Sequence, residues 1–430
     1  MGLYWLLGVN RIRTRARDWQ TRGKGMRWLE PSFCAWSSQM PQAPAFRAEK
    51  FASLLNLADV VTRRPLLPGN RVVPLYNGEE AYPAMLEAID EASTSIHLST
   101  YIFDSNATGR RFAEALTAAA VRGLDVRILV DALGECYSFP RARHLFRESK
   151  VRIVRFLPPS FSRRGIHLNL RNHRKLLIVD GKTGFTGGMN IGDRHLVGQD
   201  RPRRVADIHF RIAGPVVGQM QEAFLEDWHF ATGETFSRVI CPSPVSGGQA
   251  LCRGISAGPN EDFEELTWIV VGALNCARRR IRIMTPYFIP DRALISAINA
   301  ASLRGVEVEI ILPGRNNLPY VAWATQAYLW EFLQYGTRIY YQPPPFVHSK
   351  FLLADEHYAL VGSANLDPRS LRLNFEFNLE VFDKELTDNL GRHFDKVRGH
   401  SRQVSLADVD GRPLPQKLRD SFSKLFSPFL

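Results

Sequence analysis

The stretch NHRKLLIVDGKTGFTGGMN, residues 172–190, recurs without a gap as VHSKFLLADEHYALVGSAN, residues 347–365. His173, Lys175, Asp180, Gly187 and Asn190 fall onto His348, Lys350, Asp355, Gly362 and Asn365. One His-x-Lys says little, but two copies with identical internal spacing point to a duplicated device. In a strand, side chains two apart share a face, so each imidazole and its ammonium project together. Leu176 to Val179 and Phe351 to Leu353 then read as buried strand, with Asp180-Gly181 as a hairpin turn. The glycines that follow mark a return strand on which backbone can approach a ligand closely.

Outward from the motif, the repeat extends to the whole chain. EEAYPAMLEAIDEA has helical spacing of apolar residues and SIHLSTYIF has strand composition. GRRFAEALTAAAVRG reads as a helix closed by Gly123, DVRILVD as a strand, RARHLFRES as a helix and VRIVRFLP as a strand. The order returns after Gly258 as helix EDFEELTWIVVGALNCA, strand RIRIMTPYF, helix RALISAINAASLRG, strand VEVEIILPG, helix AYLWEFLQYG and strand TRIYYQP. Tyr101-Ile102-Phe103 matches Tyr287-Phe288-Ile289, and Val121-Arg122-Gly123 matches Leu303-Arg304-Gly305. The pattern predicts an α/β fold of two duplicated halves, each a mixed sheet flanked by helices, forming one shared active site. Predicted boundaries are a basic and aromatic region 1–69, a first half 70–240, a Pro/Gly/Ser-rich linker 241–258 and a second half 259–430.

With 430 residues and 45% hydrophobic content, the chain can bury two substantial cores. A net charge of +12 implies an anionic partner: a polynucleotide, an acidic membrane surface or a phosphate-bearing substrate. The five scattered cysteines form no Cys-x-x-Cys pair and no zinc spacing, which reads as a reducing compartment without structural metal. No apolar run reaches the roughly 18 to 20 residues of a spanning helix. The leader pairs an apolar start, Met1 to Val9, with seven basic residues before Glu30 and has no evident cleavage site. Residues 1–45 therefore read either as an interfacial anchor or as a segment without fixed structure. The C-terminal PLPQKLRDSFSKLFSPFL reads as a short amphipathic helix, with Leu418, Phe422, Leu425 and Phe426 near one face and Lys417 and Lys424 on the other. That face suits either a lipid interface or packing on the second half.

Two imidazoles and two ammonium groups around one point suit displacement at a phosphodiester. The ammonium groups stabilise charge spreading over the non-bridging oxygens. One neutral imidazole can attack phosphorus while the other, protonated, serves the leaving alkoxide and then deprotonates the acceptor. No metal or other cofactor is required, and activity is expected to survive chelation.

These segments resemble the paired signature of the phospholipase D superfamily, and the surrounding sequence is most similar to bacterial cardiolipin synthases. The likeness runs from about Gly69 to the C-terminus and is carried by HRKLLIVDGKTGFTGGMNIGDRH, ADIHFRIAGPVV and VHSKFLLADEHYALVGSANLDPRSLRLNFEFNLEVFD. It implies His173 as nucleophile and His348 as general acid and base, with Lys175, Lys350, Asp180 and Asp355 completing the two motifs. It also implies orienting carboxylates paired across the halves, Glu376 with His173 and Asp207 with His348. Asp180 and Asp355 are expected to fix local structure rather than touch phosphorus, and Asn190 and Asn365 to bind phosphate.

The resulting expectation is a phosphatidyltransferase acting on phosphatidylglycerol, and on a second phospholipid as donor, through a phosphohistidine. A hydrolytic phospholipase D is the alternative. A nuclease is disfavoured because the basic residues are dispersed and no recognition motif appears, and a degenerate scaffold because both motifs are complete. Bacterial cardiolipin synthases often begin with membrane spans that this leader does not match. Peripheral attachment to an anionic membrane, on its cytoplasmic side, is therefore expected. One chain carries both motifs, so a monomer suffices for the site. Two aromatic and proline-rich runs, Phe156 to Phe161 and Tyr340 to Phe346, are candidate apolar approaches that keep water from the intermediate.

Overall fold

The computed structural model describes residues 48–158, 170–200, 203–236, 239–240, 242–259 and 264–427. The basic leader and Pro159 to Phe161 lie outside them. Strands of the first half are β1 (Leu67–Tyr76), β2 (Ser95–Thr100), β3 (Asp125–Asp131), β4 (Arg152–Phe156), β5 (Leu176–Val179), β6 (Thr183–Gly187), β7 (Val205–Ala206) and β8 (Ile208–Ala213). Those of the second are β9 (Ala250–Ala257), β10 (Arg280–Met284), β11 (Glu307–Pro313), β12 (Arg338–Gln342), β13 (Phe346–Val347), β14 (Phe351–Ala354), β15 (Tyr358–Gly362), β16 (Glu376–Phe382) and β17 (Arg402–Val404).

Fifteen of these strands form one sheet in the order β17-β12-β11-β10-β14-β15-β16-β9-β1-β8-β6-β5-β2-β3-β4. Read inward from either end, the order is the same. A parallel triplet (β4, β3, β2 or β12, β11, β10) is followed by the motif hairpin (β5 and β6, or β14 and β15), then β8 or β16. The antiparallel pair β1 and β9 joins the halves at the centre, and β17 is an extra edge strand of the second half. The sequence duplication is thus a structural pseudo-twofold.

Helices cover both faces. Helix α1 (Ala48–Thr62) packs on α5 (Glu265–Cys276) and inserts Phe51, Leu54 and Ala58 into the core of the second half. In the first half, α2 (Asn77–Asp90) and α3 (Ala107–Val121) bury Tyr82, Ile89, Phe112 and Leu116. Asn106 caps α3 by accepting from the Gly109 N–H. Their counterpart α6 (Arg292–Leu303) is capped by Asp291 in the same way. The third core is common to both halves. Helix α4 (Val216–Thr232) contributes Phe224 and Trp228, which share an apolar cluster with Phe375, Phe377 and Phe394.

Four sequence readings change. The segment taken as a linker contains β9, every residue of which is buried, so a composition of Gly, Ser and Cys here reflects central-strand packing. Gly254 shows why: a Cβ there would lie 2.9 Å from the Phe377 ring. The region 1–69 likewise includes α1, part of the second half's core. RARHLFRES forms only a 3₁₀ turn, Ala142–Phe146. AYLWEFLQYG is not one helix either: α7 (Pro319–Gln326) precedes it, and only Trp330–Leu333 within it is helical.

Beyond α8 (Lys384–Arg398), the C-terminal helix α9 (Leu414–Lys424) packs along α7. It does so through its polar side.

Candidate active site

Each motif histidine sits just before its hairpin and is held by the other half. The His173 N–H donates to the Phe375 carbonyl at 2.9 Å, and the His348 N–H to the Ala206 carbonyl at 2.7 Å. Asn172 bridges Phe375, and β13 pairs with β7, both in parallel register. These two short crossings are pseudo-symmetric and place the carboxylates that follow them, Glu376 and Asp207, beside the imidazole of the opposite half.

The side chains complete the pairing. His173 Nδ1 lies 2.9 and 3.0 Å from the Glu376 carboxylate oxygens, and His348 Nδ1 lies 2.8 Å from Asp207 Oδ2. With each carboxylate accepting from Nδ1–H, Nε2 is the free ring nitrogen of both histidines. Glu376 is itself fixed by the Ser363 hydroxyl and by the Asn374 amide at 3.4 Å. Asp207 has no such hydroxyl neighbour among the described residues, since the position equivalent to Ser363 is Gly188. A Cβ at Gly188 would lie 2.5 Å from Asp207 Oδ2. Glycine on the return strand therefore makes room for the orienting acid, not for a ligand as the sequence suggested. Gly362, at φ +155°, does the same for Asn378.

Lys175 and Lys350 curl back toward their own histidines. Lys175 Nζ donates to the His173 carbonyl at 2.7 Å, Lys350 Nζ donates to the His348 carbonyl, and Lys350 Nζ lies 2.9 Å from His348 Nδ1. Burial strips water from the four bases. It pushes His173 down to about 4 although Glu376 opposes the shift, and pushes His348 down with help from Lys350 and Lys175. Burial also lowers Lys175 to about 7 and Lys350 to about 8. Both imidazoles are thus neutral near pH 7, and the ammonium protons are loosely held.

Asp180 and Asp355 stand at the far ends of β5 and β14. Asp180, at φ +53°, accepts from the backbone N–H groups of Ser93, Thr94 and Ser95 at 2.7–2.9 Å and from the hydroxyls of Ser93 and Thr94. These hydrogen bonds hold its carboxyl down at about 2. Asp355, at φ +55°, accepts from the N–H groups of Arg278, Arg279 and Arg280 and pairs with Lys50 at 2.6 Å. Both clamp the turn entering the first strand of a parallel triplet, and neither lines the site cavity.

His173 and His348 line one cavity of about 240 Å³, together with Asn190 and Asn365. The Asn190 side-chain carbonyl accepts from the Ile102 N–H at 3.0 Å, and the Asn365 amide donates to Ser370 Oγ at 3.0 Å. Sequence reading missed several lining residues. Tyr101 and Tyr287 stand edge-on to His173 and His348, with ring centroids 5.2 and 6.3 Å away, and the repeat itself had flagged them as equivalent. Arg194 and Arg369, each four residues beyond a motif asparagine, also line the cavity.

The two halves also differ in what lines the cavity beside each histidine. Two residues before each histidine, the first half has Arg171 and the second Phe346, and both line the cavity. Arg171 is buried beside Asp131 at 3.5 Å, and its Nε meets no protein acceptor. The cavity thus has a guanidinium flank beside His173 and an aromatic flank beside His348. Phe346 fits the expected apolar approach, but Tyr341 bonds Gln326 and Phe156 is core, packed on Phe230 and Phe375.

The family model described as cardiolipin synthase, phospholipase D-like domain, matches twice, over residues 85–228 and 270–398. The chain belongs to the cardiolipin synthase family. Cardiolipin synthase A of Pseudomonas putida is 32% identical over 400 residues, 92% of this chain and 82% of that protein. Cardiolipin synthase of Geobacillus thermodenitrificans is 32% identical over 94% of this chain and 80% of its own length. Among solved structures, phosphatidylserine synthase of Haemophilus influenzae superposes with a TM-score of 0.66 at 16% identity, covering 87% of this chain and 99% of that one, and shares the fold. As a cardiolipin synthase family member, the chain is a phospholipase D-superfamily phosphatidyltransferase. Among the described residues, no helix is long and apolar enough to cross a membrane.

Proposed function

We propose that this enzyme moves a phosphatidyl group onto the terminal hydroxyl of phosphatidylglycerol by way of a phosphohistidine at His173. The observation that carries the reading is the crossed pairing of two neutral imidazoles, each fixed at Nδ1 by a carboxylate of the other half, on one cavity. His173 Nε2 forms a bond to phosphorus as the bond to the departing alkoxide breaks. A proton from His348 Nε2 neutralises that alkoxide. His348 then takes the proton of the acceptor hydroxyl, whose oxygen displaces His173, leaving His173 neutral and His348 protonated as before the first step.

His348 must gain a proton before the first step. A bound phosphodiester provides for this, since its negative charge offsets the Lys175 and Lys350 charges that disfavour imidazolium. The same lysines stabilise charge on the non-bridging oxygens. Transfer rather than hydrolysis is supported by the aromatic flank of Tyr287 and Phe346 beside His348, where the acceptor must arrive. The guanidinium flank supplies more cationic groups than one phosphate needs, which suits a site receiving two anionic lipids.

The test is product analysis with phosphatidylglycerol. Cardiolipin and glycerol in near-equal amounts, with little phosphatidic acid, are expected. Phe346→Ser is expected to raise the phosphatidic acid share. His173→Ala and His348→Ala are each expected to lower kcat by at least about 10²-fold. Phosphatidic acid as the main wild-type product would make the enzyme a hydrolase, and a phospho-adduct on His348 instead of His173 would reverse the two roles.

A further inference from the structure

An amphipathic helix on a protein surface ordinarily turns its apolar stripe inward. Helix α9 does the reverse. Leu414, Leu418 and Phe422 follow one another at four-residue spacing and are 62–68% exposed, and Leu425 beyond them is 74% exposed. The side facing the protein is polar. Asp420 is buried in ion pairs with Arg412 and Arg419, the Arg419 guanidinium stacks 4.6 Å from the Trp323 ring, and Lys424 bonds Glu331 at 2.8 Å over the ring of Tyr328. These contacts fix the rotation of the helix about its axis, so the outward stripe is a built feature.

Its place in the fold gives it a use. Helix α7, on which α9 rests, carries Tyr320 and Val321 into the lining of the active-site cavity. Helix α9 thus rests on the helix that forms one side of the cavity. On the first-half side of the same cavity, Tyr137 lines the opening and is 64% exposed, and Phe139, two residues on, is 97% exposed. Exposed apolar side chains thus stand on elements of both halves that line or support the cavity holding the paired histidines. On the helix, Lys417 makes no ion pair among the described residues, and the chain as a whole carries a net charge of +12.

We infer that α9 and the Tyr137 to Phe139 loop form an interfacial docking surface that seats the cavity mouth on an anionic phospholipid bilayer. The inference rests on the lipid-transfer reading of the site and adds how the lipid gets there. Leu418, Phe422 and Phe139 insert among acyl chains at the headgroup boundary, while Lys417 meets lipid phosphate. A phosphatidyl headgroup then reaches His173 without leaving the membrane plane.

The experiment uses the full chain and sedimentation with vesicles of mixed phosphatidylglycerol and phosphatidylcholine. Leu418→Ser/Phe422→Ser and Phe139→Ser are each expected to weaken partitioning by about tenfold or more. Turnover of phosphatidylglycerol dispersed in detergent micelles is expected to stay at the wild-type level, since these side chains touch neither histidine. Wild-type partitioning by both variants would overturn the inference. So would a wild-type dimer that the α9 variant dissociates while vesicle binding persists, because the stripe would then be a contact between copies. If no protein turns over micellar phosphatidylglycerol, the lipid-transfer reading fails, and vesicle partitioning still decides the docking surface on its own.

Discussion

Lys175 and Lys350 owe their reactivity to position rather than to type. In water an ammonium keeps its proton to above pH 10, whereas burial brings this pair to about 7 and about 8 against the opposing charges of Glu376 and Asp207. A group with a lowered pKa is charged below that value and neutral above it. The transition-state charge they offer is therefore present at neutral pH and below, and is lost as pH rises. On the acid side, His173 becomes protonated, and useless as a nucleophile, only near pH 4. For a non-titrating phosphodiester, kcat/KM is expected to decline as pH rises through 7 and 8, where the lysines lose their protons and His348, lowered by burial, is harder still to protonate. It is expected to fall again as pH drops toward 4. A profile that instead rises through pH 7 to 9 would mean that neither lysine needs its proton.

At the scale of single elements, the motif aspartates illustrate how a conserved-looking spacing can serve the strand rather than the reaction. Asp355 closes a hairpin loop in the left-handed region, a conformation that Asp tolerates better than most residues. From there it collects three consecutive backbone N–H groups at the entrance to β10 and neutralises Lys50 of α1. Asp355→Asn is expected to lower the unfolding free energy by about 1.5–3 kcal/mol, the range for hydrogen bonds to a charged group. Urea denaturation would measure it, and activity per folded molecule at low temperature should change little. The carboxyl is held below its ordinary value in the folded protein. Its contribution is therefore present above about pH 4 and is lost as pH falls below that, so the wild-type and Asn midpoints should converge in acid.

For the molecule as a whole, the halves are not separate bodies joined by a tether. β1 and β9 pair at the centre, α4 shares its core with Phe375 and Phe377, and each catalytic backbone segment bonds to the opposite half. The exposed loop before β9 carries none of this. A protease site engineered at Gly247 is expected to give two fragments that co-purify, unfold in a single transition and keep wild-type activity. Fragments that separate on a sizing column without denaturant would show the shared core to be weaker than its burial implies.

The sequence by itself determined the duplication, the two His-x-Lys motifs and the α/β class. Each rests on residue spacing along the chain, and spacing is a local property that the strand period of two converts directly into a shared face. Expectations that needed through-space neighbours fared unevenly. The pairing of Glu376 with His173 and of Asp207 with His348 came from resemblance, and only the crossed strands β7 and β13 and the Asn172 bridge explain how those acids arrive. Composition misread β9 as a linker, because a central strand packed on both faces tolerates small residues that elsewhere mark loops. Arg171 opposite Phe346, and the outward face of α9, were likewise decided by tertiary structure. Whether a guanidinium faces a cavity, or a leucine faces solvent, depends on what the rest of the chain packs against the other side.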